Sequence, residues 1–208
     1  MKSSNFFFFL LTVLISCAGT KSVKSDGWLS LFDGKSLTEW KVGENGQTFT
    51  VDSGMIKVNG KRAHLFYAGN VNNHDFKNFH FKTEVLTTPG SNSGIYFHSH
   101  FQETGWPSTG FEIQVNNSHT DWRRTGSLYA IRDVKETFVK DNEWYTQEIM
   151  VVGKSITVKL NGNTVMEYTE PENVQGNKRI ANGTFVLQGH DPNSKVYYRN
   201  IMVKPLPE

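Results

Sequence analysis

The sequence predicts an all-β domain, a jelly-roll sandwich of two antiparallel sheets packed face to face. Three observations lead there. Period-two alternation recurs after Asp26 with no sustained helical period. Gly and Asn stand at the joins where tight hairpins need positive φ. Cys17 is the only cysteine, so no disulfide or thiolate metal site is available, and each strand has to bury one face against a second sheet.

The clearest strands, in order, are 78–86 (NFHFKTEVL), 94–101 (GIYFHSHF), 110–116 (GFEIQVN), 144–152 (WYTQEIMVV), 155–162 (SITVKLNG), 164–169 (TVMEYT), 183–190 (GTFVLQGH) and 196–205 (VYYRNIMVKP). Period-two alternation and flanking turn residues mark them as strands. The joins VGKS and NGN are short and carry Gly or Asn, so residues 144–169 should form a three-stranded meander. Segments 102–109, 117–126 and 170–182 are polar and long, suited to rim one mouth of a concave sheet. Trp28, Trp40 and Trp144 adjoin strands and should pack. Trp106 and Trp122 lie in polar loops, where an indole face can stack on a sugar.

At the N-terminus, Lys2 precedes an apolar run, Phe6 to Ile15, too short to span a bilayer as a mature helix. Leu14-Ile15-Ser16-Cys17 resembles the bacterial lipobox. The expected organisation is a lipoprotein signal peptide over 1–16, a lipidated Cys17 with a polar tether over 17–26, and one domain over 27–208. That places the protein in the cell envelope, anchored to a membrane through Cys17. The formal charge is +2, and loss of Lys2 lowers it further, so neither nucleic acid nor an electrostatic membrane patch is implied. Small glycosides or oligosaccharides are the more fitting partners.

Parity within the strands gathers the chemistry. In 110–116, Phe111, Ile113 and Val115 point one way and Glu112, Gln114 and Asn116 the other. In 94–101, Tyr96, His98 and His100 oppose Ile95, Phe97 and Phe101. In 183–190, Val186, Gln188 and His190 oppose Phe185 and Leu187. A merely solvated sheet face carries Lys, Thr, Glu and Ser. Amides, imidazoles and Tyr suit sugar hydroxyls better. Glu112 also begins the Glu-x-Asp-x-(x)-Glu strand motif of laminarinase-type glycosidases, but Gln114 and Asn116 or Asn117 replace its other carboxylates. Displacement at an anomeric carbon needs two carboxylates, so ordinary glycoside hydrolysis by that pair is disfavoured.

GWLSLFDGKSLTEW (27–40), NSGIYFHSH (92–100), GFEIQVNNSH (110–119), TGSLY (125–129), EWYTQEIMVVGKSITVKLNG (143–162) and LQGHDPNSKVYYRNI (187–201) together resemble the 3-keto-disaccharide hydrolase family, long a domain of unknown function. The resemblance covers essentially the whole chain after the tether. It implies a concanavalin A-like jelly roll in an exported bacterial enzyme that cleaves 3-keto-glycosides by elimination, or by elimination and hydration giving net hydrolysis. A C3 ketone acidifies the C2 proton, so one base and a few donors to the enolate oxygen suffice. Carried onto this chain, His98, Glu112 and His190 are the acid/base candidates. Tyr96, Gln114, Asn116, Gln188, His119, Arg124, Tyr129, Trp106 and Trp122 are expected to bind the sugar, and Arg199 to orient a carboxylate such as Glu112. No cofactor is expected; a divalent ion on His98, His100, Glu112 and His190 is the remaining chemical option. The alternative function is a non-catalytic carbohydrate-binding sandwich.

Overall fold

The computed structural model describes residues 26–207. The signal-peptide, lipobox and most of the tether assignments therefore lie outside the described residues. Thirteen strands form the domain: β1 (Leu29–Ser30), β2 (Trp40–Val42), β3 (Phe49–Asp52), β4 (Met55–Val58), β5 (Ala63–Tyr67), β6 (Phe79–Thr87), β7 (Ser93–Ser99), β8 (Phe111–Val115), β9 (Tyr145–Val152), β10 (Ser155–Leu160), β11 (Asn163–Thr169), β12 (Thr184–Gly189) and β13 (Val196–Pro205). The larger sheet runs β11-β10-β9-β6-β13-β4-β3, with β1 paired to β13, and the smaller runs β2-β5-β12-β7-β8. All pairings are antiparallel, and β9-β10-β11 is the meander expected from its Gly and Asn joins.

The two sheets bury their strands differently. In β6 and β9 of the larger sheet, buried and half-buried residues alternate along most of each strand, one face inward and one toward solvent. In β5, β7 and β12 of the smaller sheet every residue is buried. Something therefore covers the outer face of the smaller sheet. Its inner face carries Leu65, Ile95, Phe97, Ile113, Phe185 and Leu187 into the core, so the covered polar face is where a site can be enclosed.

Part of the roof is residues 100–109, which leave β7 and return to β8 across that outer face. Phe101 meets Phe66 edge-on at 5.3 Å between ring centroids, and Trp106 meets His64 at 5.2 Å. Gly43 lets the strap lie against β2, since a Cβ there would sit 2.2 Å from the Glu103 carbonyl oxygen. The Gly105 N–H donates to Glu44 Oε1 at 3.0 Å, and Arg62 bridges to the same oxygen at 3.1 Å.

Between the sheets, the Phe185 ring lies 4.7–4.8 Å from those of Phe76, Phe79 and Phe81, and all four side chains are fully buried. Phe185→Ala should cost about 3–5 kcal/mol of folding stability, read from urea unfolding; a loss below about 1 kcal/mol would show that this cluster does not bear the sandwich.

Candidate functional site

Beneath the roof is a cleft of about 240 Å³. Its floor is Tyr96 from β7, Glu112 and Gln114 from β8 and Gln188 from β12. Its walls are Asn92, Trp106, Pro107, Asp121, Tyr129, Lys178 and His190. The three long segments read as rim loops each contribute: Trp106 and Pro107 from the first, Asp121 from the second, Lys178 from the third.

Glu112 sits at the centre of the floor. Its Oε2 accepts from the Tyr96 hydroxyl at 2.8 Å and its Oε1 from Gln188 Nε2 at 2.8 Å. Burial pushes its carboxyl above the ordinary range, against the two hydrogen bonds and the Lys178 charge that pull it down. Gly94 on the neighbouring strand makes room, because a Cβ there would lie 2.3 Å from Glu112 Oε1. Gln188 Nε2 donates also to Tyr96 Oη at 2.9 Å, which spends both its amide hydrogens, and Gln114 Nε2 donates to Asn92 Oδ1 at 2.9 Å. The Oε1 atoms of Gln114 and Gln188 are buried with no partner. Buried acceptors left open beside a cleft are suited to hydroxyl donors of a ligand.

His190 lies at the cleft wall with Nδ1 2.7 Å from Asp191 Oδ2. Asp191 is itself held by Ser194 and by the Asn193 and Ser194 N–H groups. Partial burial raises its carboxyl, but the His190, Ser194 and Asn193 hydrogen bonds outweigh that and leave it below the usual value. An Nδ1–H directed at this carboxylate leaves Nε2 with the lone pair.

Several expected residues are elsewhere. His98 is the main departure. Thr184 pairs with Ser99 and Val186 with Tyr96, so β7 spends three residues where β12 spends two. This bulge carries His98 at φ 55 and takes its side chain off the face that parity assigns. His98 Nε2 lies 2.9 Å from the Lys77 carbonyl, Nδ1 accepts from the Ala181 N–H at 3.2 Å, and the ring packs on Phe79 and Phe97. Both nitrogens are occupied, so His98 anchors a loop and does not line the cleft.

Asn116 falls just past β8 and ties its own loop: Nδ2 donates to the Asp121 and Arg123 carbonyls, and Oδ1 accepts from the His119 N–H. Arg124 likewise donates to the His119 and Asp121 carbonyls. Arg199 pairs with Glu84 at 2.6 Å and stacks on Trp144, both on the larger sheet or its edge, and does not touch Glu112. Trp122 packs against the Arg123 and Lys135 cations, outside the lining. His119 stands behind His190, ring centroids 5.6 Å apart.

His98, His100, Glu112 and His190 do not converge as metal ligands. His119, His190 and Asp191 do offer ligand atoms within 4.8 Å of one another. Yet His119 Nδ1 already accepts from the Asp121 N–H at 3.1 Å and faces Asn92 Nδ2 at 3.3 Å, which commits its lone pair. An ion at this cluster would have to displace those contacts and the His190–Asp191 bond.

His64 was not visible in the sequence as a site residue, because β5 (AHLFY) shows no clean alternation. It pairs in register with Gln188 and packs edge-on to Tyr96 and Trp106, linking floor to roof. Asp121, Asn92 and Lys178 were missed for a different reason: they reach the cleft from loops, where no period assigns a face.

The fold and cleft together define a two-sheet jelly-roll sandwich with one polar cleft roofed by loops. A crystal structure of a provisionally assigned glycosyl hydrolase from Parabacteroides distasonis ATCC 8503 matches with TM-score 0.74 and 24% identity, covering 90% of this chain and 98% of that one. The carbohydrate binding module CBM66 from Bacillus subtilis matches with TM-score 0.58 and 14% identity, covering 80% and 96%. At these identities the likeness concerns the fold. The chain belongs to the family described as the 3-keto-alpha-glucoside-1,2-lyase-like domain, which matches residues 27–204. It is also 27% identical over 174 residues to a 3-keto-disaccharide hydrolase of Bacteroides thetaiotaomicron, a match spanning 70% of this chain and 60% of that relative.

The buried histidines make stability depend on pH. Burial lowers both His64 and His98 from 6.5 to about 4, and the Arg62 charge adds to the effect at His64. Between these values the unfolded chain binds more protons, so stability is full above about pH 6.5 and falls toward pH 4, by about 3 kcal/mol for each histidine. Urea unfolding across this window checks it; stability that held level or rose on acidification would contradict it.

Proposed function

We propose that this domain cleaves glycosides of 3-keto sugars by acid–base elimination, acting in the cell envelope from a lipidated Cys17. The observation that carries this reading is a half-buried cleft carboxylate, Glu112, which desolvation raises above its ordinary range and which shares the cleft with the Asp191-supported His190. Family membership and the name of the Bacteroides thetaiotaomicron relative agree with it.

In this scheme His190 Nε2 takes the C2 proton, which the C3 ketone has made acidic. The C2–H electron pair forms the C2=C3 enolate. Its collapse makes the C1=C2 bond and expels the C1 oxygen, which takes a proton from Glu112. Burial suits Glu112 to the acid role, since it keeps a proton available nearer to neutrality than an exposed carboxyl does. Addition of water to the product gives net hydrolysis. Gln114 and Gln188 accept from sugar hydroxyls through their open Oε1 atoms, and Trp106 supplies an aromatic wall. A resident metal has no step in this scheme.

The binding-module alternative rests on the likeness to CBM66. Asp121 is a second cleft carboxylate, though its Oδ1 is engaged by the Arg123 N–H at 3.1 Å and guanidinium at 3.7 Å. Incubation with an aryl 3-keto-glucoside and with its unoxidised parent separates the readings. Release of the aglycone from the keto form alone is expected. Binding without turnover would support the module, and cleavage of the parent would indicate displacement between Glu112 and Asp121. Glu112→Gln and His190→Asn should each lower turnover about 10²–10⁴-fold, with Glu112→Gln changing the melting temperature little because it removes a buried ionisable group and keeps the shape.

A further inference from the structure

We propose that Lys178 is the electrophile of this site, its ammonium pairing with the oxyanion that develops on the C3 oxygen when the C2 proton leaves. This inference rests on the elimination reading and names the group that reading still lacks.

Removing the C2 proton places a full negative charge on the former ketone oxygen, and the site must stabilise it. The floor amides are poorly placed to do so. Gln188 spends both amide hydrogens on Tyr96 and Glu112, Gln114 spends one of its two on Asn92, and the buried atoms these amides leave with no partner at all are their carbonyl oxygens. Carbonyl oxygens welcome a sugar hydroxyl and repel an oxyanion. Glu112 and Asp121 add further negative character. Within the lining, Lys178 is the only lysine or arginine.

Lys178 is also uncommitted. The guanidinium groups of Arg62, Arg123 and Arg124 are already paired: Arg62 with Glu44, Arg123 with Asp121 and Asp133, and Arg124 with loop carbonyls. Among the described residues Lys178 makes no hydrogen bond or ion pair, while its charge acts on the Glu112 carboxylate across the cleft.

The loop that carries Lys178 is fixed on both sides of it. The Asn177 carbonyl accepts from the Gly110 N–H at 3.1 Å, the Ile180 N–H donates to Glu170 Oε1 at 2.6 Å, and the Ala181 N–H donates to His98 Nδ1 at 3.2 Å. Gly110 stands two residues before Glu112, so the anchor of the ammonium and the strand of the acid share one support. His98, which holds the Ala181 N–H, is thereby one of the anchors of that loop.

The test uses a ketone that can enolise but has no aglycone to expel. In 1,5-anhydro-3-keto-glucitol C1 carries no aglycone and only the ring oxygen, so exchange of the C2 hydrogen in deuterium oxide with the ring left intact reports enolate formation without aglycone loss. Wild-type protein should catalyse this exchange, Lys178→Met should slow it about 10²–10³-fold, and Lys178→Arg should restore a substantial part. On an aryl 3-keto-glucoside, Lys178→Met should lose kcat with KM changed only a few-fold, since the charge it stabilises exists only after the proton leaves. A Lys178→Met protein that exchanges C2 as fast as wild type would overturn the inference while leaving elimination intact. A wild type that neither exchanges nor eliminates would overturn the elimination reading itself.

Discussion

The site depends on one constraint, a half-buried carboxylate partly stripped of water on the face of a sheet. Glu112 stands on the edge strand β8 with both oxygens occupied by neutral donors, Tyr96 from the adjoining β7 and Gln188 from β12 one strand further in. Neutral donors satisfy its lone pairs without supplying the charge that would hold it ionised, so desolvation prevails over hydrogen bonding. The arrangement needs Gly94 beside it and a roof above it. Without the strap at 100–109 and the loop at 170–182, the same carboxylate would face solvent with an ordinary affinity for protons.

The roof explains why the two sheets differ. The larger sheet behaves as a one-sided wall, with His80, Lys82, Glu84 and Arg199 lying half-buried along its outer surface in pairs such as His80–Glu148 and Arg199–Glu84. The smaller sheet is buried on both faces, apolar inside and polar beneath the loops. Carbohydrate-binding sandwiches share the framework. What distinguishes this one as a candidate catalyst is the pairing of a half-buried acid with an imidazole whose second nitrogen is fixed by Asp191.

The fold was legible because alternation and turn residues act locally. Strand β6, the β9-β10-β11 meander and the apolar face of β8 all follow from period two and from Gly or Asn at the joins. On the site face, Glu112, Gln114, Tyr96 and Gln188 were read correctly by parity and meet in one cleft. Parity failed where the backbone departs from it. One extra residue in β7 turned His98 away, and the end of β8 at Val115 left Asn116 to fasten a loop. Arg199 was misplaced because strand pairing, which puts it opposite Glu84, is not written in its neighbours. His64 and Lys178 were hidden because a fully buried strand and an irregular loop carry no period.

The central claim is that burial outweighs hydrogen bonding at Glu112, and infrared difference spectroscopy tests it directly. Spectra of wild type minus Glu112→Gln, recorded across a pH titration, isolate the carbonyl stretch of the protonated Glu112 carboxyl. The account predicts that this band persists above the ordinary glutamate value of 4.5 and disappears only as pH is raised further. A band that vanishes at or below that value would mean that Tyr96, Gln188 and the nearby cations hold Glu112 ionised, and that it cannot serve as the acid.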